Sequence, residues 1–151
     1  MPIKALLTFI LFSQLTVTSL IAGSIPAKAR ICGKWEATEK NLIITVSMVG
    51  NQYKAVITWF SDVDGKPMDY WKDSHNPNPA LRNRKIHGLN ILRNLTYHPN
   101  TNSWEDGMIY DSKHGKEWNA SIFIDNKGLL RVKGYWHLKF IGKTMSFYRV
   151  T

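Results

Sequence analysis

The stretch LIITVSMVGNQYKAVITWF, residues 42–60, decides the fold. Apolar residues recur in it at every second position: Leu42, Ile44, Val46 and Met48 first, then Ala55, Ile57 and Trp59. A period of two is typical of strands with one buried face, because successive side chains point to opposite sides of a sheet. The Gly-Asn pair at 50–51 separates the two runs and predicts a tight hairpin between them.

The same pattern continues to the carboxyl terminus. Strands are predicted at 104–110, 118–124, 129–136 and 143–150, with turn-forming residues at 112–115, 125–128 and 142. No amphipathic helix is predicted after residue 29. Short strands at this spacing favour an all-β fold, a small antiparallel up-and-down barrel of seven or eight strands, because closure removes exposed edges. A long polar loop around 61–87, with Asn-Pro-Asn-Pro at 76–79, interrupts the pattern.

The amino terminus has the layout of a secretory signal peptide. Lys4 is followed by an uncharged stretch, residues 5–21, then by helix breakers and an Ala-Lys-Ala triplet at 27–29. The alternative is a transmembrane anchor, but the apolar stretch is short of the roughly 20 residues that span a bilayer. We expect residues 1–29 to be a signal peptide and 30–151 to be one exported domain, periplasmic or extracellular, with no transmembrane segment in the mature chain.

Charge and cysteine content narrow the expected partners. The chain carries 20 Lys and Arg against 11 Asp and Glu, a formal charge of +9. This basic protein suits an anionic envelope component, although an ordinary solvated basic surface is the simpler reading, and no nucleic acid partner is expected. Cys32 is the only cysteine, so no internal disulfide can form, and we expect a structural thiol there rather than a nucleophile.

Several short motifs occur in a characteristic order along the chain. They are Gly33-Lys34-Trp35, Gly65-Lys66-Pro67, Asn76-Pro77, Leu81-Arg82, Gly88-Leu89, Trp104-Glu105-Asp106-Gly107-Met108-Ile109-Tyr110-Asp111, Gly115-Lys116, Leu130-Arg131-Val132-Lys133-Gly134-Tyr135, Gly142-Lys143-Thr144 and Arg149. Together they resemble the bacterial exported proteins of domain-of-unknown-function family 2147. The family name carries no activity, so this resemblance implies relationship and not function.

A second resemblance is to the calycin barrels: the lipocalins, fatty-acid-binding proteins and avidins. It rests on Gly33-x-Trp35 opening the first strand and on Arg149 ending the last one. The resemblance implies a lipocalin-like barrel in which Trp35 plugs the closed end and Arg149 packs over its indole. A guanidinium is suited to this position, since it stacks on a Trp face and donates to nearby carbonyls.

The long loop holds the first candidate ligand-binding residues. Asp73, Asn76 and Arg82 would gather at the barrel mouth and bind a polar or anionic group, because the Arg fork donates two parallel hydrogen bonds. The structural alternative is that Asp73 pairs with Arg82 and pins the loop down.

Further candidates lie on the strands. Tyr110 and Lys116 could project polar groups into a cavity, although their segment is mainly a hairpin. Arg131 would be a buried cation awaiting an anionic ligand if it faced inward, and ordinary solvated charge if, as we expect, it faces outward. The six tryptophans suit a ligand cavity or a filled core, and Trp59 is the best cavity-lining candidate.

No pattern points to catalysis or to a metal. The five histidines have no ligand-like spacing, no G-x-S-x-G occurs, and paired carboxylates lie in turns. We expect no catalytic residue, metal or cofactor, and a noncatalytic protein that binds a small amphipathic or lipid-like ligand. The first alternative is a structural or interaction protein of the cell envelope with a filled barrel, and a hydrolytic enzyme is the less favoured one.

Overall fold

The computed structural model describes residues 23–150, and residues 1–22 of the predicted signal peptide lie outside that range. Nine strands make up most of it: β1 (Gly33–Ala37), β2 (Leu42–Val49), β3 (Gln52–Phe60), β4 (Leu92–Arg93), β5 (Thr96–His98), β6 (Ser103–Asp111), β7 (Lys116–Ile124), β8 (Leu130–Tyr135) and β9 (Gly142–Val150). The helices are short 3-10 turns at Ala27–Ala29, Met68–Tyr70 and Pro79–Leu81. Within residues 23–150, no helix has the length and apolar character needed to cross a membrane.

The strands form one antiparallel sheet that nearly closes on itself. Its order is β3-β2-β1-β9-β8-β7-β6-β4, and β5 also pairs with β6, so β4 and β5 act as one interrupted strand. The sheet closes where Val56 bridges Asn90 and the Ile57 amide donates to the Leu89 carbonyl at 3.0 Å. The result is an eight-stranded up-and-down barrel, which confirms the predicted fold class.

The barrel interior is filled by a continuous apolar core. Its buried members are Ile31, Trp35, Ala37, Ile44, Val46, Tyr53, Ala55, Ile57, Leu89, Ile91, Leu92, Leu95, Trp104, Ala120, Ile122, Leu130, Val132 and Phe147. They come from every long strand, because alternate positions of each strand face inward. Close packing of this core is what holds the barrel in one arrangement.

The β2–β3 hairpin departs from strict alternation at one place. Its register shifts between Ile43 and Ile44, which is the signature of a β-bulge. Beyond the shift, Phe60 packs against the core, whereas Trp59 pairs with Ile43 and is 37% exposed. The prediction that Trp59 shares the inward face of Ile57 is therefore wrong, because one extra residue reverses the facing of all that follow.

One end of the barrel is sealed around Trp35. This side chain is fully buried, its Nε1 donates to the Ile31 carbonyl at 2.8 Å, and the Arg149 guanidinium lies 4.2 Å above its ring. Arg149 also donates to the Cys32 carbonyl at 2.9 Å. A Cβ on Gly33, whose φ is +131°, would lie 2.5 Å from Arg149 Nη1, so this glycine leaves room for the stack.

The segment before β1 completes the same closed end. The Lys28 carbonyl accepts hydrogen bonds from Tyr53 Oη at 2.8 Å and from Trp104 Nε1 at 3.2 Å. Buried Tyr and Trp polar groups require such partners. Residues 27–32 therefore belong to the folded base of the barrel, even though the predicted signal peptide runs to Ala29.

Candidate functional site

The predicted long loop is present and lies at the opposite, open end of the barrel. It runs from residue 61 to 91 between β3 and β4, and it folds back on itself where Lys72 bridges Lys85. The Asp73 amide donates to the Arg84 carbonyl at 3.0 Å next to that bridge. At the tip, Asn78 caps the Pro79–Leu81 turn by accepting from the Ala80 amide at 3.1 Å. Asx capping of this kind is the local reason for the Asn-Pro repeat.

A buried polar cluster fastens the loop to the barrel wall. We call Asp73, Asn76, Arg84 and Tyr110 the Asp73 cluster. Asp73 is fully buried; its Oδ1 accepts from Tyr110 Oη at 2.7 Å, and its Oδ2 accepts from Asn76 Nδ2 at 2.8 Å and from Arg84 Nε at 2.8 Å. Arg84 Nη2 also lies 2.8 Å from Oδ2. Because Tyr110 stands on β6, the cluster ties the loop to the sheet.

The partner of Asp73 differs from the sequence-based alternative. Arg82 does not pair with Asp73; its Nε donates to the Asn76 carbonyl at 2.8 Å. Arg84 holds the carboxylate because the local hairpin places it directly beside Asp73, as the amide–carbonyl bond between the two residues shows. The sequence offers both arginines in the same stretch and no means of choosing between them without the bridge.

Tyr110 is a protonated donor in this cluster. Burial raises the pKa of its phenol, and the hydrogen bond and negative charge of Asp73 raise it further. The Arg84 guanidinium also lies 5.4 Å from the Tyr110 ring centroid. The phenol therefore keeps its proton at neutral pH and donates a hydrogen bond to the Asp73 carboxylate.

A cavity of about 720 Å³ opens between the long loop and the β6–β7 hairpin. Its walls are Asn76, Pro77, Leu81, Arg84, Met108, Tyr110, Gly115, Lys116, Glu117, Trp118 and Trp136. Trp118 lies two residues before the buried Ala120 on β7, so both side chains are on the inner face of the sheet. Met108 and Glu117 are on the outer face. The cavity therefore straddles the barrel rim rather than occupying the packed interior.

The cavity walls are apolar with charge at one side. Trp118 and Trp136 meet edge to face, with ring centroids 5.9 Å apart. Lys116 is exposed and makes no ion pair with any residue from 23 to 150. Glu117 is paired with Arg93, and the hydrogen bond from that guanidinium lowers the pKa of the Glu117 carboxyl. The acid is thus already neutralised, and Lys116 leaves a net positive charge.

The tip of the β6–β7 hairpin touches the loop through a glycine. A Cβ on Gly115 would lie 1.8 Å from the His75 carbonyl oxygen, and its φ is +62°. Only glycine fits such a close backbone approach at a positive φ. This contact joins the hairpin tip to the loop beside the cavity, which Gly115 also lines.

The structure brings together some of the predicted site residues and separates others. Asn76, Tyr110 and Lys116 line the cavity, and Asp73 supports it from beneath. Arg82 is not among the lining residues. Arg131 lies on the outer face of β8, where its Nε donates to Asp125 at 2.8 Å, so the inward alternative for it is wrong.

Sequence reasoning missed the aromatic pair and Arg84. Trp118 and Trp136 were two among six tryptophans, and their strand positions alone do not say which end of the barrel they occupy. Their pairing across β7 and β8 could have been found by aligning the two predicted strands. As for metals, the part of the chain from 23 to 150 contains no group of three or more His, Cys, Asp or Glu placed to hold an ion.

Comparisons with known proteins agree with this architecture. The family model described as an uncharacterized protein conserved in bacteria (DUF2147) matches residues 33–149. Protein HP1028 from the human pathogen Helicobacter pylori, described as belonging to the lipocalin family, is similar in structure with a TM-score of 0.66. The two are 26% identical over 80% of this chain and 82% of that one. No curated protein matches the chain.

Proposed function

The chain belongs to the DUF2147 family, and from its lipocalin-like fold we propose that it is a noncatalytic protein that binds a small amphipathic ligand with an anionic head. The observation that carries this proposal is the rim cavity, with its apolar walls and with Lys116, a cation that has no ion-pair partner among residues 23–150. Cavities of a few hundred Å³ with a small number of convergent polar groups are the usual form of small-molecule sites.

The walls suggest how such a ligand would lie. Its apolar body would pack against Trp118, Trp136 and Leu81, which offer rigid aromatic and aliphatic surface. Its head group would meet Lys116, with Arg84 contributing the part of its guanidinium that Asp73 leaves free. Both cations named in the sequence analysis for this role, Arg82 and Arg131, are replaced by these two.

The state of the Asp73 cluster supports a binding role rather than a catalytic one. Both Asp73 oxygens already accept hydrogen bonds, and the side chain is fully buried, so it cannot reach a substrate as a general base. The raised pKa of Tyr110 opposes its use as a base as well. We propose that the polar groups here shape the cavity and do no chemistry.

We also propose that the protein is exported, as the amino-terminal layout predicts, and works in the periplasm or outside the cell. An amphipathic ligand is a natural cargo in that setting, because free amphiphiles are poorly soluble and a carrier shields their apolar part from water.

Titration with cis-parinaric acid, a fluorescent fatty acid, tests the proposal. We expect saturable binding that weakens about tenfold in Lys116→Glu, since the charge reversal places an anion beside the ligand carboxylate. Lys113→Glu is the matched control: Lys113 lies in the turn directly before Lys116, its substitution changes the net charge equally, and it does not line the cavity. Equal affinity in both variants, or no saturable binding at all, would contradict the proposal.

The packed interior favours one second candidate, an interaction protein whose filled barrel only presents its surface. The apolar core occupies the space where lipocalin-type proteins hold ligands, which supports this alternative. The same titration separates the two, because a surface-presenting protein would leave cis-parinaric acid free.

A further inference from the structure

The connection between β8 and β9 exposes apolar side chains to an unusual degree. Four of the six residues at 136–141, which we call the apolar loop, are large and exposed: Trp136 by 57%, Leu138 by 50%, Phe140 by 78% and Ile141 by 62%. Scattered exposed apolar residues are normal, but a run of them on one loop marks an interaction site.

The apolar loop is fixed in this outward arrangement by its polar groups. Asn119 Nδ2 donates to the Trp136 carbonyl at 2.6 Å, and Lys139 Nζ lies 2.8 Å from Glu105 Oε2 on β6. The Ile141 amide donates to the Leu138 carbonyl at 2.9 Å and closes a turn. These polar contacts hold the loop in place while Leu138, Phe140 and Ile141 remain exposed to solvent.

The charge around the loop is positive. Residues 133–143 contain three lysines and no Asp or Glu, and one of the three, Lys139, is paired with Glu105. Lys133 on β8 and Lys143 on β9 flank the loop, and neither forms an ion pair with any residue in the described range 23–150. Since residues 23–150 offer these two lysines no neutralising partner, an anionic surface would complement them.

We propose that the apolar loop docks the barrel onto the surface of a membrane that contains anionic phospholipids. Trp136 would lie at the level of the headgroups, where amphipathic aromatic rings are favoured, and Phe140 would bury its apolar ring at the boundary with the acyl chains. Lys133 and Lys143 would contact the lipid phosphates, with their alkyl stems along the apolar boundary. A lipid surface would bury the exposed apolar side chains and would supply anionic groups to Lys133 and Lys143.

The docking surface adjoins the rim cavity but does not depend on it. Trp136 belongs to the apolar loop and also lines the cavity. Docking would therefore bring the cavity mouth to the lipid surface, which is where an amphipathic ligand would enter or leave. Phe140 does not line the cavity, so Phe140→Ser should weaken docking and leave cis-parinaric acid binding unchanged, and the two proposals fail separately.

Co-sedimentation of the purified protein with vesicles tests the docking. We expect binding to vesicles of phosphatidylcholine mixed with phosphatidylglycerol, and at least about tenfold weaker binding after Phe140→Asp or Ile141→Asp, because each loses buried apolar area and gains a charge. Val49→Asp is the matched control: Val49 is 57% exposed at the opposite, closed end of the barrel, and we expect no change. Phe140→Ser, which adds no charge, should weaken binding in the same direction.

The electrostatic part is tested with Lys143→Glu. We expect about fivefold or greater loss on the phosphatidylglycerol vesicles and little effect with phosphatidylcholine alone. Thermal melts show whether each variant is folded. Three results would overturn the proposal. The first is vesicle binding by Phe140→Ser and Phe140→Asp that is as strong as that of the wild-type protein, and the second is no vesicle binding by the wild-type protein. The third is a self-associated form that Phe140→Asp dissociates without any vesicle binding, which would favour a second copy of this chain as the partner.

Discussion

Asp73→Asn is the substitution that probes the candidate site most sharply. The carboxylate receives donors from three side chains: Tyr110 Oη, Asn76 Nδ2 and the Arg84 guanidinium. An asparagine of the same shape has only one acceptor oxygen, and its amide group would turn two N–H donors toward donors already there. The substitution preserves volume and replaces one of the two acceptor oxygens by a donor, so packing effects are small.

The magnitude follows from the groups left without partners. A buried donor that loses its acceptor costs about 1–3 kcal/mol. The single oxygen of asparagine can accept from Tyr110 Oη or from the Asn76 amide but not from all the present donors, and the Asn76 amide keeps its 3.0 Å bond to Tyr110 Oη. The Arg84 side chain is 35% exposed, so water replaces part of its bonding and its contribution is reduced. We expect a loss of about 3 kcal/mol in the free energy of unfolding, or roughly 10 °C in Tm for a domain of this size.

The assay is urea and thermal unfolding followed by circular dichroism. Tyr110→Phe should cost about 1 kcal/mol, because Asp73 then keeps its other donors. The double variant should cost less than the sum, since the two residues share one hydrogen bond. Tyr70→Phe is the control, an exposed tyrosine for which we expect no measurable change.

A Tm for Asp73→Asn within about 2 °C of the parent would refute this reasoning. It would mean that the carboxylate is not what holds the loop to β6. Additive effects of Asp73→Asn and Tyr110→Phe would refute the shared bond in particular. Because Asn76 and Arg84 line the cavity, the same variant should also weaken cis-parinaric acid binding.

Four further experiments test the hairpin contact, the barrel base, the Glu117 ion pair and the amino terminus. Gly115→Ala should destabilise the protein by about 2 kcal/mol more than Gly128→Ala in urea unfolding, since both have positive φ but only the first has a backbone atom in the way. Arg149→Ala should lower the free energy of unfolding by about 2–3 kcal/mol, through loss of the aromatic stack and of donors to carbonyls at the barrel base. The pKa of Glu117 is lowered in the folded protein, so the ionised carboxylate stabilises the fold above its ordinary pKa, and this stabilisation is lost as the pH falls through the folded pKa. The urea concentration at the unfolding midpoint should therefore decrease from neutral to acid pH. The decrease should be smaller in Glu117→Gln, which has no carboxylate to protonate at this position. Amino-terminal sequencing of exported protein should give a start before Lys28, because cleavage after residue 29 would remove a carbonyl that accepts two buried donors.

The sequence predicted the barrel because its information is local and repeated. Period-two alternation and Gly-containing turns indicate antiparallel strands one hairpin at a time. The Gly33-x-Trp35 motif and Arg149 could be related to each other only through the calycin resemblance, since they are far apart in the chain. The structure places them in contact at the base, as that resemblance implies.

Prediction from the sequence failed where a single residue or a single tertiary contact determines which way a side chain faces or which partner it has. The bulge that turns Trp59 outward adds a single residue to a regular pattern, so alternation cannot detect it. The choice of Arg84 over Arg82 as the partner of Asp73 depends on how the loop folds back on itself. The cavity is lined by residues from both faces of the β6–β7 hairpin and from the long loop. Predicting each strand separately from the sequence cannot show that these residues lie together.

Native mass spectrometry of the protein purified from its own host, followed by extraction of whatever co-purifies, tests the central claim most directly. We predict a stoichiometric anionic amphiphile that is lost in Lys116→Glu and retained in Arg131→Ala, whose side chain lies on the outer face away from the cavity. A bare protein mass, with no change in Tm across a panel of fatty acids and phospholipids, would contradict the binding function and favour the filled-barrel interaction protein.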